Sequence, residues 1–206
     1  MQIKGHNMKN LKTFKEFVNE SRADELGLEH QQQSDKLANL MVGRFQPPTL
    51  GHLKVLKSLS KKNGYPVIIL ATRPKKKDPK KYPFESSVIK MMFEEVIKNE
   101  KFVAGYREIP TGSIVEVFNQ VRPDYEPILW GAGSDRIKGY KRQVDSYKYD
   151  LNGHPDLDVF EIKRDEDSIS ATKVRESLLN GDEKLFQSMM PKYLWSYFET
   201  LKSQLS

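Results

Sequence analysis

Two side chains able to handle a phosphate lie in one short stretch, Gly43-Arg-Phe-Gln-Pro-Pro-Thr-Leu-Gly-His52: the hydroxyl of Thr49 and the imidazole of His52. Leu37, Leu40, Met41 and Val42 precede it as an apolar run of strand length that Gly43 ends. Leu53, Leu56 and Leu59 follow at helical spacing with Lys54, Lys57, Lys61 and Lys62 between them, which predicts a helix opening near Gly51 or His52. Strand, tight loop and helix in that order turn the unpaired N–H groups of a helix N-terminus toward the loop, where they attract anions. Pro47 and Pro48 stiffen the loop, while Gly43 and Gly51 let backbone approach a ligand. The stretch fits neither GxxxxGK[ST] nor GxGxxG.

A second set lies near the other end of the chain. Ser168-Ile-Ser-Ala-Thr172 leads into Val174, Ser177, Leu178 and Leu179, a helix that Ser170 or Thr172 is suited to cap, with Arg175 in reach of the same anions as Thr172. Pro127-Ile-Leu-Trp-Gly131 reads as a short apolar strand, and Gly131-Ala-Gly-Ser-Asp135 as a glycine-rich turn at its end. In an open α/β sheet such a turn faces the first loop.

The elements that must position these groups alternate. After Asn63-Gly64, the run 66–71 is fully apolar and predicts a buried parallel strand; 85–99 predicts a helix, 102–109 a strand, 113–121 a short helix and 157–162 a strand. From Asp182 onward two short helices flank Pro191, with Tyr193, Trp195 and Tyr197 packed on them, and Trp130 is a core residue. Strands alternating with helices imply an α/β fold with a mainly parallel sheet, helices on both faces and C-terminal helices. The segment 136–156 is polar, basic and aromatic, and too long for an ordinary connection. It is a candidate lid; its Tyr140, Tyr147 and Tyr149 are able to stack on a ring, which loop tyrosines usually do not do.

Length and composition fit one such domain. The chain has 206 residues, read as a domain over 37–206 preceded by an amphipathic helix and linker over 1–36, where Leu11, Phe14, Phe17 and Val18 recur at helical spacing. With 34 Lys+Arg against 28 Asp+Glu the formal charge is +6, which favours an anionic partner; nucleotides, RNA and DNA all satisfy it. The absence of cysteine excludes disulfides, thiolate zinc sites and cysteine nucleophiles, and fits an intracellular protein. No apolar run approaches the roughly 18–20 residues of a membrane span, so the expectation is a soluble, cytoplasmic protein.

Together, GRFQPPTLGH, GAGSD and ISATKVRESL resemble the motifs of the HxGH/TxGH nucleotidylyltransferase superfamily, most nearly those of archaeal-type nicotinamide-mononucleotide adenylyltransferases. KKYPFESSVIKMMFEEVI is similar to that family's NPF helix, and the resemblance spans about residues 38 to 200. It implies a Rossmann-like parallel sheet of five or six strands. It also implies transfer of a nucleotidyl group, AMP from ATP first among them, to a phosphate-bearing acceptor such as nicotinamide mononucleotide, with release of pyrophosphate and Mg²⁺ entering with the triphosphate. By that resemblance His52 stabilises charge on the transferring phosphate and Thr49 takes the first position of the motif, where archaeal enzymes carry His. Gly43, Phe45 and Gly51 shape the loop, and Arg44 and Gln46 lie near nucleotide or acceptor. Ile169, Ser170, Thr172 and Arg175 hold the outer phosphates, and Gly133 and Asp135 lie near the nucleoside. The family's arginine on the NPF helix is replaced by Ile89, so Lys90, Arg73 or a lysine of 75–81 stands in as a phosphate contact. No protein-held metal is implied, and a homo-oligomer is compatible.

Two enzymatic alternatives accompany this reading: cytidylyl transfer to a sugar or alditol phosphate, and adenylyl transfer to phosphopantetheine. A non-enzymatic one is a nucleic-acid-binding or phage-structural protein on the same fold. Its support is that LKTFKEFVNES resembles the head-targeting peptides of T4-like phages, which implies a phage-encoded chain in host cytoplasm or virion head. The intact set His52, Ser170, Thr172 and Arg175 argues against an idle copy.

Overall fold

The computed structural model describes residues 36–75, 78–147, 157–162 and 169–205. Expectations for residues 1–35, the linker and targeting segment among them, lie outside the described residues.

Among the described residues the strands are β1 (Leu37–Gly43), β2 (Val67–Thr72), β3 (Val103–Ile109), β4 (Glu126–Gly133) and β5 (Asp158–Ile162). They form one sheet in the order β3-β2-β1-β4-β5, with every neighbouring pair parallel. The chain leaves β1 toward β2 on one side and returns to β4 on the other. The crevice at the carboxyl ends of β1 and β4 is therefore the switch point where α/β sheets bind ligands.

Alternation along the strands feeds two cores. Val67, Ile69 and Ala71 of β2 face one layer, built from α1 (Leu50–Asn63), α2 (Ser86–Asn99), α5 (Ala171–Leu179), α6 (Glu183–Met189) and α7 (Phe198–Ser203). Ile68 and Leu70 face the other, built from α3 (Ile114–Val121) and α4 (Ile137–Tyr147). Buried Asn39 of β1 is the polar exception. Its amide donates to Asn63 Oδ1 at 2.8 Å and to the Tyr65 carbonyl at 3.1 Å, and accepts from Asn63 Nδ2 at 2.9 Å, fixing the end of α1 on the sheet.

Three expectations are corrected. The segment 136–156 is not loop throughout: 137–147 is α4, because Ile137, Tyr140 and Val144 recur at helical spacing and pack on the sheet. Tyr140 is buried and stacks on Trp130 at 4.3 Å, so it belongs to the core rather than to a lid; 148–156 lie outside the described residues. The strand 127–131 extends to Gly133, leaving the turn to 134–136. After Pro191 the chain forms a 3-10 turn, Lys192–Tyr197, before α7; the Trp195 indole N–H lies 3.1 Å from the Gln187 and Met190 carbonyls and closes the end of α6.

Candidate functional site

The loop leaving β1 is held in a conformation that its sequence would not choose locally. Phe45 has φ of 49°, a left-handed backbone that costs a non-glycine residue on the order of 1–3 kcal/mol. Packing sustains it: the buried ring lies on Gly43, where a Cβ would stand 2.9 Å from the ring, and meets His52 edge-on at 5.1 Å and Phe93 at 5.3 Å. A cis peptide bond joins Gln46 to Pro47. Gln46 is buried, and its Oε1 accepts from the Phe84 N–H at 3.1 Å, tying the loop to the start of α2.

Thr49 and His52 interlock where α1 begins. The Thr49 hydroxyl accepts the His52 N–H at 3.3 Å, and the Thr49 N–H donates to His52 Nδ1 at 3.1 Å, a reciprocal capping box. Because Nδ1 accepts a backbone hydrogen, the imidazole proton sits on Nε2. Thr49 is fully buried and its hydroxyl also lies 3.0 Å from Nδ1, so its chemistry here is to orient the imidazole. His52 is thereby preset as a hydrogen-bond donor.

The second motif abuts the first through backbone. A Cβ on Gly51 would fall 2.3 Å from the Ile169 carbonyl oxygen, so only glycine lets the start of α1 touch the strand-to-helix turn before α5. Ser170 caps α5, accepting the Lys173 N–H at 3.2 Å, which makes Ser170 rather than Thr172 the cap. Arg175 spans the two motifs: Nη1 donates to the Gln46 carbonyl at 2.9 Å and Nη2 to Thr172 Oγ1 at 3.2 Å. Burial first, and the like charge of Arg44 second, hold the Arg175 guanidinium below its ordinary value. Two helix N-termini, two guanidiniums and a preset imidazole thus meet with their positive ends together, an arrangement that stabilises a polyphosphate.

Gly133 ends β4 and exposed Asp135 lies in the turn beyond it, at the carboxyl edge that also carries the first loop. The two expected phosphate contacts are placed differently. Lys90 is exposed on α2, while Ile89 is buried in the core. Arg73 is an internal tie rather than an open cation: Nη1 donates to the carbonyls of Arg44 and Thr72 at 2.9 Å, Nη2 to Tyr106 Oη at 3.2 Å and Nε to Ser86 Oγ at 3.3 Å, with Glu108 at 3.4 Å. Ser86, Tyr106 and Glu108 escape a sequence reading because they meet only where α2 and the ends of β2 and β3 converge. Thr72 and Tyr82, whose hydroxyls lie 3.2 Å apart beside the Gly43 carbonyl, escape it for the same reason.

Comparison with known proteins gives the family and the fold. Residues 40–177 match the family model described as cytidylyltransferase-like. No curated protein shows significant sequence similarity to the chain. Among solved structures, the nicotinic acid mononucleotide adenylyltransferase of Plasmodium falciparum complexed with NaAD superposes with a TM-score of 0.55 at 18% identity, covering 82% of this chain and 97% of that one. A Vibrio parahaemolyticus structure assigned as a nicotinate-nucleotide adenylyltransferase gives a TM-score of 0.57 at 13% identity, covering 83% and 97%. At such identities the likeness is one of fold.

Proposed function

The chain belongs to the cytidylyltransferase-like family of nucleotidyltransferases, and from that premise we propose that it transfers AMP from ATP to the phosphate of a mononucleotide, with nicotinamide mononucleotide as the leading acceptor. The observation that carries this reading is the junction of the two motifs at Gly51 and Ile169, spanned by Arg175.

An oxygen of the acceptor's phosphate attacks the α-phosphorus of the triphosphate, the bond from that phosphorus to the β-bridging oxygen breaks, and pyrophosphate leaves with the electron pair. The attacking oxygen is already anionic, so no general base is needed and positioning with charge neutralisation carries the rate. His52, with its proton on Nε2, donates to the transferring phosphate as charge accumulates there. The N-terminus of α5 with Ser170 and Thr172 receives the outer phosphates, and Arg175 with Arg44 offsets their charge. A Mg²⁺ entering with the triphosphate would supply further neutralisation of phosphate charge beside Arg175 and Arg44. No helix among the described residues is long and apolar enough to cross a membrane.

The family description favours one second reading, CTP as the donor. Pyrophosphate release over ATP, CTP, GTP and UTP against nicotinamide mononucleotide, nicotinate mononucleotide, phosphopantetheine and an alditol phosphate decides between them. Turnover with ATP and a mononucleotide, lost in His52→Ala, is the expected result; turnover with CTP alone moves the assignment to cytidylyl transfer, and none with any pair refutes both.

A further inference from the structure

The network around Arg73 does more than brace the first loop. Ser86 Oγ, Tyr106 Oη at 2.7 Å and Arg73 Nε at 3.4 Å all converge on one oxygen of Glu108, Oε1. Burial holds the Tyr106 hydroxyl above its ordinary pKa, so it stays a donor. With the Ser86 and Tyr106 hydroxyls donating to Oε1 and Arg73 paired with it as an ion, no donor among the described residues meets Oε2, and the side chain is 36% exposed. This carboxylate is oriented by its surroundings, with one face directed away from every donor that orients it.

Its place in the sheet is as specific. Gly43 pairs with Ala71, and Ala71 with Glu108, so the residue from which the loop departs and the carboxylate share one row across β1, β2 and β3. Two strand spacings, about 10 Å, separate them. Aromatic contacts continue along the same side of the sheet: His52 meets Phe45, Phe45 meets Phe93, and Phe93 stacks on Tyr106 at 4.8 Å. With the triphosphate assigned to α5 and to the β4 side at Gly133 and Asp135, an acceptor whose phosphate meets His52 and Arg44 would extend its base on the other side, along the carboxyl ends of β1 to β3, toward Glu108.

We propose that Glu108 sets acceptor specificity, taking a base that presents a hydrogen-bond donor, a carboxamide, and rejecting the same base bearing a carboxylate. The inference rests on the mononucleotide reading above. Oε2 can only accept, and the neighbouring guanidinium of Arg73 is already spent on Arg44, Thr72, Ser86 and Tyr106. A carboxamide N–H completes Glu108, whereas a carboxylate there sets acceptor against acceptor, like charge against like, and leaves both unpaired. The solved structures that share this fold carry names for nicotinic acid mononucleotide, so the inference separates this chain from them.

The test is calorimetric binding of nicotinamide and nicotinate mononucleotides to the full chain in the presence of a non-hydrolysable ATP analogue, repeated with Glu108→Gln, alongside pyrophosphate release. The wild-type protein is expected to bind the amide about 10- to 100-fold more tightly than the acid. Glu108→Gln, whose amide both donates and accepts, is expected to bring the two within about threefold. A wild-type protein that binds the acid as well as the amide overturns the proposal without any variant. So does a folded Glu108→Gln protein whose ratio is unchanged; if turnover with a mononucleotide persists in either case, the mononucleotide reading survives. Binding of neither nucleotide overturns both.

Discussion

Replacing Gly51 by alanine tests whether the two motifs act as one site. The added methyl would sit 2.3 Å from the Ile169 carbonyl oxygen. Neither group can rotate away, because the methyl is fixed to a helix backbone and the oxygen belongs to a peptide. To restore ordinary contact, α1 and the turn before α5 must separate by about 1 Å. That displacement carries Ser170, Thr172 and the span of Arg175 away from His52. A misplacement of about 1 Å costs on the order of 10²-fold in rate, so kcat/KM for pyrophosphate release is expected to fall about 100-fold, with kcat bearing most of the loss. Forced overlap also destabilises by about 1–3 kcal/mol, which lowers the urea midpoint while leaving one cooperative transition. Gly139→Ala is the control: it lies in α4 with nothing within 4 Å of a new Cβ, and it should leave kcat/KM unchanged while stabilising the helix by up to about 1 kcal/mol. A folded Gly51→Ala protein with kcat/KM within threefold of wild type would refute the coupling of the two motifs.

Thr49→Ser keeps the hydroxyl of the capping box and should retain activity within a few-fold. Thr49→Val removes the acceptor of the His52 N–H and should lower kcat by roughly 10-fold and stability by about 1 kcal/mol in thermal and urea melts. His52→Ala removes the donor proposed to meet the developing charge and should cost about 10²–10³ in kcat; a loss seen only in KM would mean that it binds the ground state instead. Arg175→Lys keeps the charge but cannot serve the Gln46 carbonyl and Thr172 together, so kcat/KM should fall by roughly 10-fold or more at unchanged stability. Asn39→Leu orphans the Asn63 amide and the Tyr65 carbonyl at the end of α1 and should destabilise by about 2–3 kcal/mol in urea unfolding, with KM for ATP unaffected.

The sequence by itself determined the order and kind of most elements, α4 and the 3-10 turn after Pro191 being the exceptions. Periodicity is a local property: the apolar run of β2, the leucines of α1 and the valines and methionines of α2 state their burial without reference to anything distant. The helix opening beside Gly51 and the two candidate caps of α5, Ser170 and Thr172, were legible for the same reason, since capping acts within four residues, whereas the choice of Thr49 and Ser170 came from the structure. What only the tertiary structure decided depends on groups that meet from far along the chain. A reading of 136–156 as a polar stretch could not see that Trp130 supplies Tyr140 with a stacking partner, which turns its first half into helix. Arg73 looked like a spare cation because Ser86, Tyr106 and Glu108 become its partners only when β2, β3 and α2 converge. Gly51 looked like room for a ligand, yet the structure fills that room with the carbonyl of Ile169. A sequence lists which groups are able to bind phosphate; the packing of distant backbone decides which are already spent on one another and which remain for the substrate.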